Sequence, residues 1–117
     1  MANNKKRMYE MHAEICKALS HPRRLEVLDR LREGEKSVEE LSRLMEMPKS
    51  NLSQHLAILR QMRLVKTRRE GLNIIYSIAN EKIIEACDTV SEVLLSNLTQ
   101  NEDIAAMLKN QDSSDPK

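Results

Sequence analysis

The sequence has no phenylalanine and no tryptophan, and only two tyrosines (Tyr9, Tyr76), two glycines and three prolines in 117 residues. Its core must therefore be filled by Leu, Ile, Val and Met. So few turn-formers exclude the many reversals of a β-sandwich and favour a helical protein. No apolar run approaches the roughly 18 residues that span a membrane. The opening MANNKKRMYEMHAE is basic but lacks the apolar segment of a secretory signal. A cytoplasmic protein is expected, with no membrane partner, in which Cys16 and Cys87 are reduced thiols and not a structural disulfide. No P-loop, nucleophile–base set or metalloprotease motif occurs, so no enzyme is expected, and nothing calls for a cofactor.

What is present is a stretch from Ser37 to Ser77 with a clear order: a short helix, a tight turn, a second helix, then two alternating strands around Gly71. In the second of these helices Leu52, Leu56, Leu59 and Met62 recur on a 3.6-residue period. The opposite side carries Ser50, Ser53, Gln54, Ala57 and Gln61. That face is small, polar and uncharged at its centre, although 32% of the chain is charged. Ser, Gln and Asn both donate and accept hydrogen bonds, and Ala permits close approach. A helix that reads base edges in a DNA major groove needs those properties.

The net charge of +1 conceals a polarity along the chain. Between Pro48 and Glu70 there are six basic residues (Lys49, Arg60, Arg63, Lys66, Arg68, Arg69) against one acid, whereas Asn80 to Lys117 holds three basic and eight acidic residues. The positive charge coincides with the uncharged helical face, which implies an anionic partner on that side.

Taken in order, residues 5–19 read as a first helix with Met8, Met11, Ile15 and Leu19 on one stripe. Ser20-His21-Pro22 interrupts it, His21 caps the next helix, and Pro22 suits that helix's first turn, where a missing N–H leaves no bond unmade. The second helix runs to about Arg32, burying Leu25, Leu28 and Leu31, and Gly34 supplies its C-terminal cap. Ser37 and Glu40 have capping-box spacing at the start of the third helix, whose stripe is Val38, Leu41 and Met45. Met47-Pro48 closes that helix. The fourth helix spans about Lys49 to Met62, separated from the third by so few residues that the two must cross steeply, as in a helix-turn-helix.

Leu64–Arg69 and Leu72–Ile78 read as a hairpin, a wing with Arg68 and Arg69 at its tip and Asn73 on the return strand. Residues 80–99 form a long final helix with Ile83, Cys87, Val90, Leu94 and Leu98 on one face. That much apolar surface, beside the first helix, implies a two-fold homodimer built on the first and last helices. The expected organisation is one DNA-binding and dimerisation domain over residues 1–100, followed over 101–117 by a short helix and a disordered acidic tail.

The segments LSHPRRLEVLDRL (Leu19–Leu31), SVEELSRLM (Ser37–Met45), SNLSQHLAILRQMRLVKTRREG (Ser50–Gly71) and IIYSI (Ile74–Ile78) together resemble the ArsR-type winged-helix transcriptional regulators. The run Ser53-Gln54-His55-Leu56 followed by LVKTRREG is the most specific part of the match. The resemblance implies a homodimeric repressor that leaves its DNA operator when a metal, metalloid or thiol-modifying signal arrives. It places Ser50, Asn51, Ser53, Gln54 and His55 at the DNA surface and Arg68 and Arg69 on the wing. The residue chemistry adds Lys49, Arg60 and Lys66 as phosphate ligands. For His55 two readings stand, a phosphate contact and packing at the turn.

The family's sensing sites do not carry over. Ser37-Val38-Glu39 stands where metal-sensing relatives have Cys-x-Cys, no histidine follows His55, and Asp29 lies where thiol-sensing relatives have a second-helix cysteine. Cys16, Cys87 and His12 remain as sensor candidates. His12 and Cys16 lie four apart on one helical face, a half-site for a soft metal with Cys87 as a third ligand. The same thiols also fit a redox switch, or plain apolar filling of a helix interface. A winged helix docking through its basic face on an acidic protein is the competing class of function.

Overall fold

The structure, a computed structural model, describes residues 2–100 and 106–109. Its elements are α1 (Ala2–Ala18), α2 (Pro22–Leu31), β1 (Lys36–Ser37), α3 (Val38–Met45), α4 (Lys49–Gln61), β2 (Val65–Glu70), β3 (Asn73–Ile78) and α5 (Glu81–Thr99). Residues 106–109 are helical; the rest of the predicted tail lies outside the described residues. Two compact units divide within α5, one ending at Ile84 and one beginning at Glu85. Among the described residues no helix is long and apolar enough to cross a membrane.

The first unit is a winged helix-turn-helix. Its core is aliphatic, as the missing aromatics require: Val27, Leu28 and Leu31 from α2, Leu41 and Met45 from α3, and Leu52, Leu56 and Leu59 from α4. Removing each such side chain from water is worth roughly 1.5–3 kcal/mol, and this burial fixes the rotation of α4 about its axis. One expected core residue is not there. Leu25 remains 43% exposed while Val27 is fully buried, so the inward stripe of α2 is rotated from the Leu25–Leu28 line.

Helix ends follow from local chemistry. The Nδ1 of His21 accepts the backbone N–H of Arg23 at 3.1 Å, and Pro22 occupies the first turn, so α2 starts as the sequence requires. Gly34 lies beyond the Arg32 cap with φ +137°, outside the left-handed helical region expected of it. At α3 both arms of the capping box form: the Glu40 N–H donates to Ser37 Oγ at 3.1 Å and the Ser37 N–H to Glu40 Oε1 at 2.9 Å. This backbone bond holds the Glu40 carboxyl below the usual carboxylate range.

The turn from α3 into α4 depends on Glu46, a non-glycine residue with φ +50°. Past it the Met47 N–H donates to the Ser42 carbonyl, the long bond of a Schellman turn, and Met47 is buried. Arg63, with φ +60°, ends α4 in the same way, the Leu64 N–H returning to the Leu59 carbonyl. From α2, Arg23 and Arg30 donate to the Met45 and Leu44 carbonyls at 3.1 and 3.4 Å, clamping the C-terminus of α3 where cations are favoured.

The wing has one strand more than the expected hairpin. β1 pairs antiparallel with β3, and β3 with β2, giving the order β1-β3-β2. Ser37 lies opposite Ile75, and Ile75 opposite Arg68. Gly71 and Leu72 alone connect β2 to β3, with Gly71 at φ +64° in the first central position, which a type II′ turn reserves for glycine.

Candidate nucleic-acid interface

Leu52, Leu56 and Leu59 are fully buried, and this turns Ser50, Asn51, Ser53, Gln54, Ala57 and Gln61 outward. All six are exposed. No ionised group interrupts the face between Ser50 and Ala57; Lys49 and Arg60 bound it. The surface is thus a small-residue hydrogen-bonding stripe between cations, supported from beneath by a leucine ridge.

The cations around this stripe differ in their commitments. Lys49 Nζ pairs with Glu39 Oε2 of α3 at 3.1 Å, holding the Glu39 carboxyl below its ordinary range. Arg68, expected as a ready phosphate ligand, is committed to carboxylates. Its Nε and Nη2 donate to the two oxygens of Glu35 (Nε to Oε2 at 3.2 Å), and its Nη1 donates to Glu70 Oε2 at 3.0 Å. These bonds lower the Glu35 carboxyl and push the Arg68 guanidinium further up. Among the described residues Arg60, Lys66 and Arg69 pair with no carboxylate. Asn73 is exposed opposite Glu70, at the end of the wing.

His55 is half-buried at the inner edge of α4. Its ring lies 4.5 Å from that of His21, tilted by 53°. Arg24 Nη1 is 3.3 Å from His55 Nδ1, while Arg24 Nε donates to the Ala18 carbonyl at 2.6 Å. Arginine can only donate, so His55 Nδ1 accepts and the ring is neutral with its proton on Nε2. Burial first, then the nearby His21, Arg24 and Arg23, holds His55 below the ordinary imidazole value. Arg24 thus links the end of α1 to α4, a role that no local pattern in the sequence signals.

Of the sensor candidates, Cys16 and His12 are exposed on α1 and Cys87 is half-buried on α5. Neither cysteine is in a disulfide. Among the described residues no group of three or more His, Cys, Asp and Glu side chains could hold a metal ion. Exposed apolar side chains include Met8, Tyr9 and Met11 on α1 and Val90, Val93, Leu94 and Leu95 on α5.

Comparison with known proteins agrees with this geometry. Residues 21–67 match the model of the family described as bacterial regulatory protein, arsR family. An uncharacterized HTH-type transcriptional regulator of Mycobacterium tuberculosis, Rv0081, is 42% identical over 88 residues, 74% of this chain and 77% of that one. The solution structure of a homodimeric winged helix-turn-helix DNA-binding domain, Mb0332 of Mycobacterium bovis, aligns with a TM-score of 0.77 at 33% identity, covering 84% of this chain and 91% of that one. The crystal structure of the transcriptional repressor BigR from Xylella fastidiosa aligns with a TM-score of 0.68 at 31% identity, covering 80% and 95%.

Proposed function

The chain belongs to the arsR family of bacterial regulatory proteins and is a winged-helix DNA-binding transcriptional regulator; from that premise we propose that it acts in the cytoplasm as a homodimeric repressor on a roughly palindromic double-stranded operator. Each subunit places the outer face of α4 in a major groove, the two grooves lying about 34–36 Å apart. Ser50, Asn51, Ser53 and Gln54 read base edges, and Arg60, Lys66 and Arg69 meet phosphates. Lys49 and Arg68 reach phosphates by exchanging their carboxylate partners. Asn73 touches the neighbouring backbone from the end of the wing.

The exposed apolar faces of α1 and α5 support the homodimer, since side chains such as Tyr9 and Leu94 gain most by meeting their symmetry mates. Release by a signal acting on Cys16, Cys87 or His12, whether a thiol-reactive species or a metal or metalloid, completes the proposed cycle. Operator affinity of Cys16→Ser and Cys87→Ser with and without oxidant, sulfide, Zn²⁺ and arsenite tests it. Unchanged release in both variants contradicts it.

One observation carries the reading: the exposed stripe of α4 is uncharged and hydrogen-bonding above a fully buried leucine ridge. A salt-titrated shift assay on genomic fragments tests it. A DNA reader retains preferred fragments over bulk duplex as salt rises, whereas a module docking on an acidic protein shows no fragment preference.

A further inference from the structure

β1 is only two residues long, yet it determines what Arg68 can do. By pairing with β3 it sets Ser37, Ile75 and Arg68 in one row across the sheet, and Glu35 immediately precedes the strand. Arg68 reaches over β3 to Glu35, 33 residues away in sequence, and takes both of its carboxylate oxygens. That is the forked arrangement in which a guanidinium binds a phosphate. Glu70, two residues along the same strand, takes the remaining nitrogen. Every nitrogen of the guanidinium thus donates to a carboxylate, and the three groups together carry one net negative charge. Arg69, on the opposite face of β2, has no such partner among the described residues.

We propose that Glu35 is a specificity-determining residue: it occupies the phosphate-binding fork of Arg68 and so suppresses binding to DNA of arbitrary sequence. Affinity for bulk duplex comes almost wholly from phosphate neutralisation, so each cation withdrawn from the count weakens it. Operator binding has base contacts from α4 in addition and loses proportionally less. Arg68, Glu35 and Glu70 are all roughly half exposed or more, so the pairs are weak enough to exchange when an operator holds the wing against its phosphates. The inference rests on the reading that the wing faces DNA.

The test is binding of bulk duplex across a salt series by wild type, Glu35→Gln, Arg68→Ala, the double variant and Arg69→Ala. Glu35→Gln tightens bulk binding about two- to fivefold, the scale of one exposed ion pair. It also steepens the log–log salt dependence by about 0.9, one additional phosphate contact. Arg68→Ala leaves the slope near that of wild type, and in the double variant the gain disappears. The proposal is overturned if Glu35→Gln leaves bulk binding unchanged or weakens it, or if its gain persists without Arg68. Arg69→Ala separates the two failures: an unaltered slope there means that the wing does not meet DNA, whereas a flatter slope confines the failure to Glu35.

Discussion

The ring of His55, on the helix that presents the exposed stripe, lies tilted 4.5 Å from the ring of His21, which caps the helix behind it. Both imidazoles accept through Nδ1, His21 from the Arg23 N–H and His55 from the Arg24 guanidinium. A proton added at the Nδ1 of His55 replaces an acceptor by a donor that points at another donor.

Stability should therefore depend on pH through His55. Its folded-state value lies below the ordinary one, so the unfolded chain binds the proton more readily. The contribution is complete above the ordinary value of about 6.5 and is lost as pH falls through the lower folded value. Thermal melts from about pH 7.5 to about pH 5 should show a falling Tm, with a shallower fall for His55→Gln. Equal slopes for the two proteins would remove His55 as the cause.

Opposite faces of α4 should respond differently to truncation. Leu56→Ala, at a fully buried site, should cost about 2–5 kcal/mol of stability measured by urea unfolding. Ala in place of the exposed Gln61 should change stability by less than about 0.5 kcal/mol. A large loss at Gln61 would mean that the outer face is not free.

Ser37 joins the wing to α3, being both a strand residue opposite Ile75 and the N-cap of the helix. Ser37→Ala should cost about 1 kcal/mol. In a domain of this size that lowers Tm by about 4–8 °C. Glu40→Gln retains an acceptor and should cost less.

Self-association should depend on the exposed apolar side chains of α5. Leu94→Glu sets a carboxylate among Val90, Val93 and Leu95 and should yield a monomer by sedimentation equilibrium, with operator affinity lost in parallel. A dimer of undiminished affinity would place the subunit contact elsewhere.

Much of this was legible in the chain because the signals are local. The four-residue spacing of Leu52 and Leu56 gives the inner side of α4, Ser37 and Glu40 announce their own capping box, and His21-Pro22 marks where α2 begins. The less legible features rest on tertiary context. β1 is too short to show alternation, and its strand character comes from pairing with β3. Glu46 and Arg63 take positive φ, a conformation sequence patterns assign to Gly or Asn, while Met47 and Leu64 bury beside them. Val27 replaces Leu25 in the core because the packing of α2 on α4 sets the rotation, and the 3.6-residue period alone permits either. The pairing of Arg68 with Glu35 spans 33 residues and has no local trace.

The most direct measurement is selection of bound fragments from a randomised duplex library by wild type and by Gln54→Ala at matched salt. Wild type should enrich a two-fold symmetric site and the variant should lose preference at one base pair per half-site, a discrimination of about 1–3 kcal/mol, while other positions stay as they were. An identical enriched site from both proteins would contradict the assignment of the α4 stripe as the reading surface.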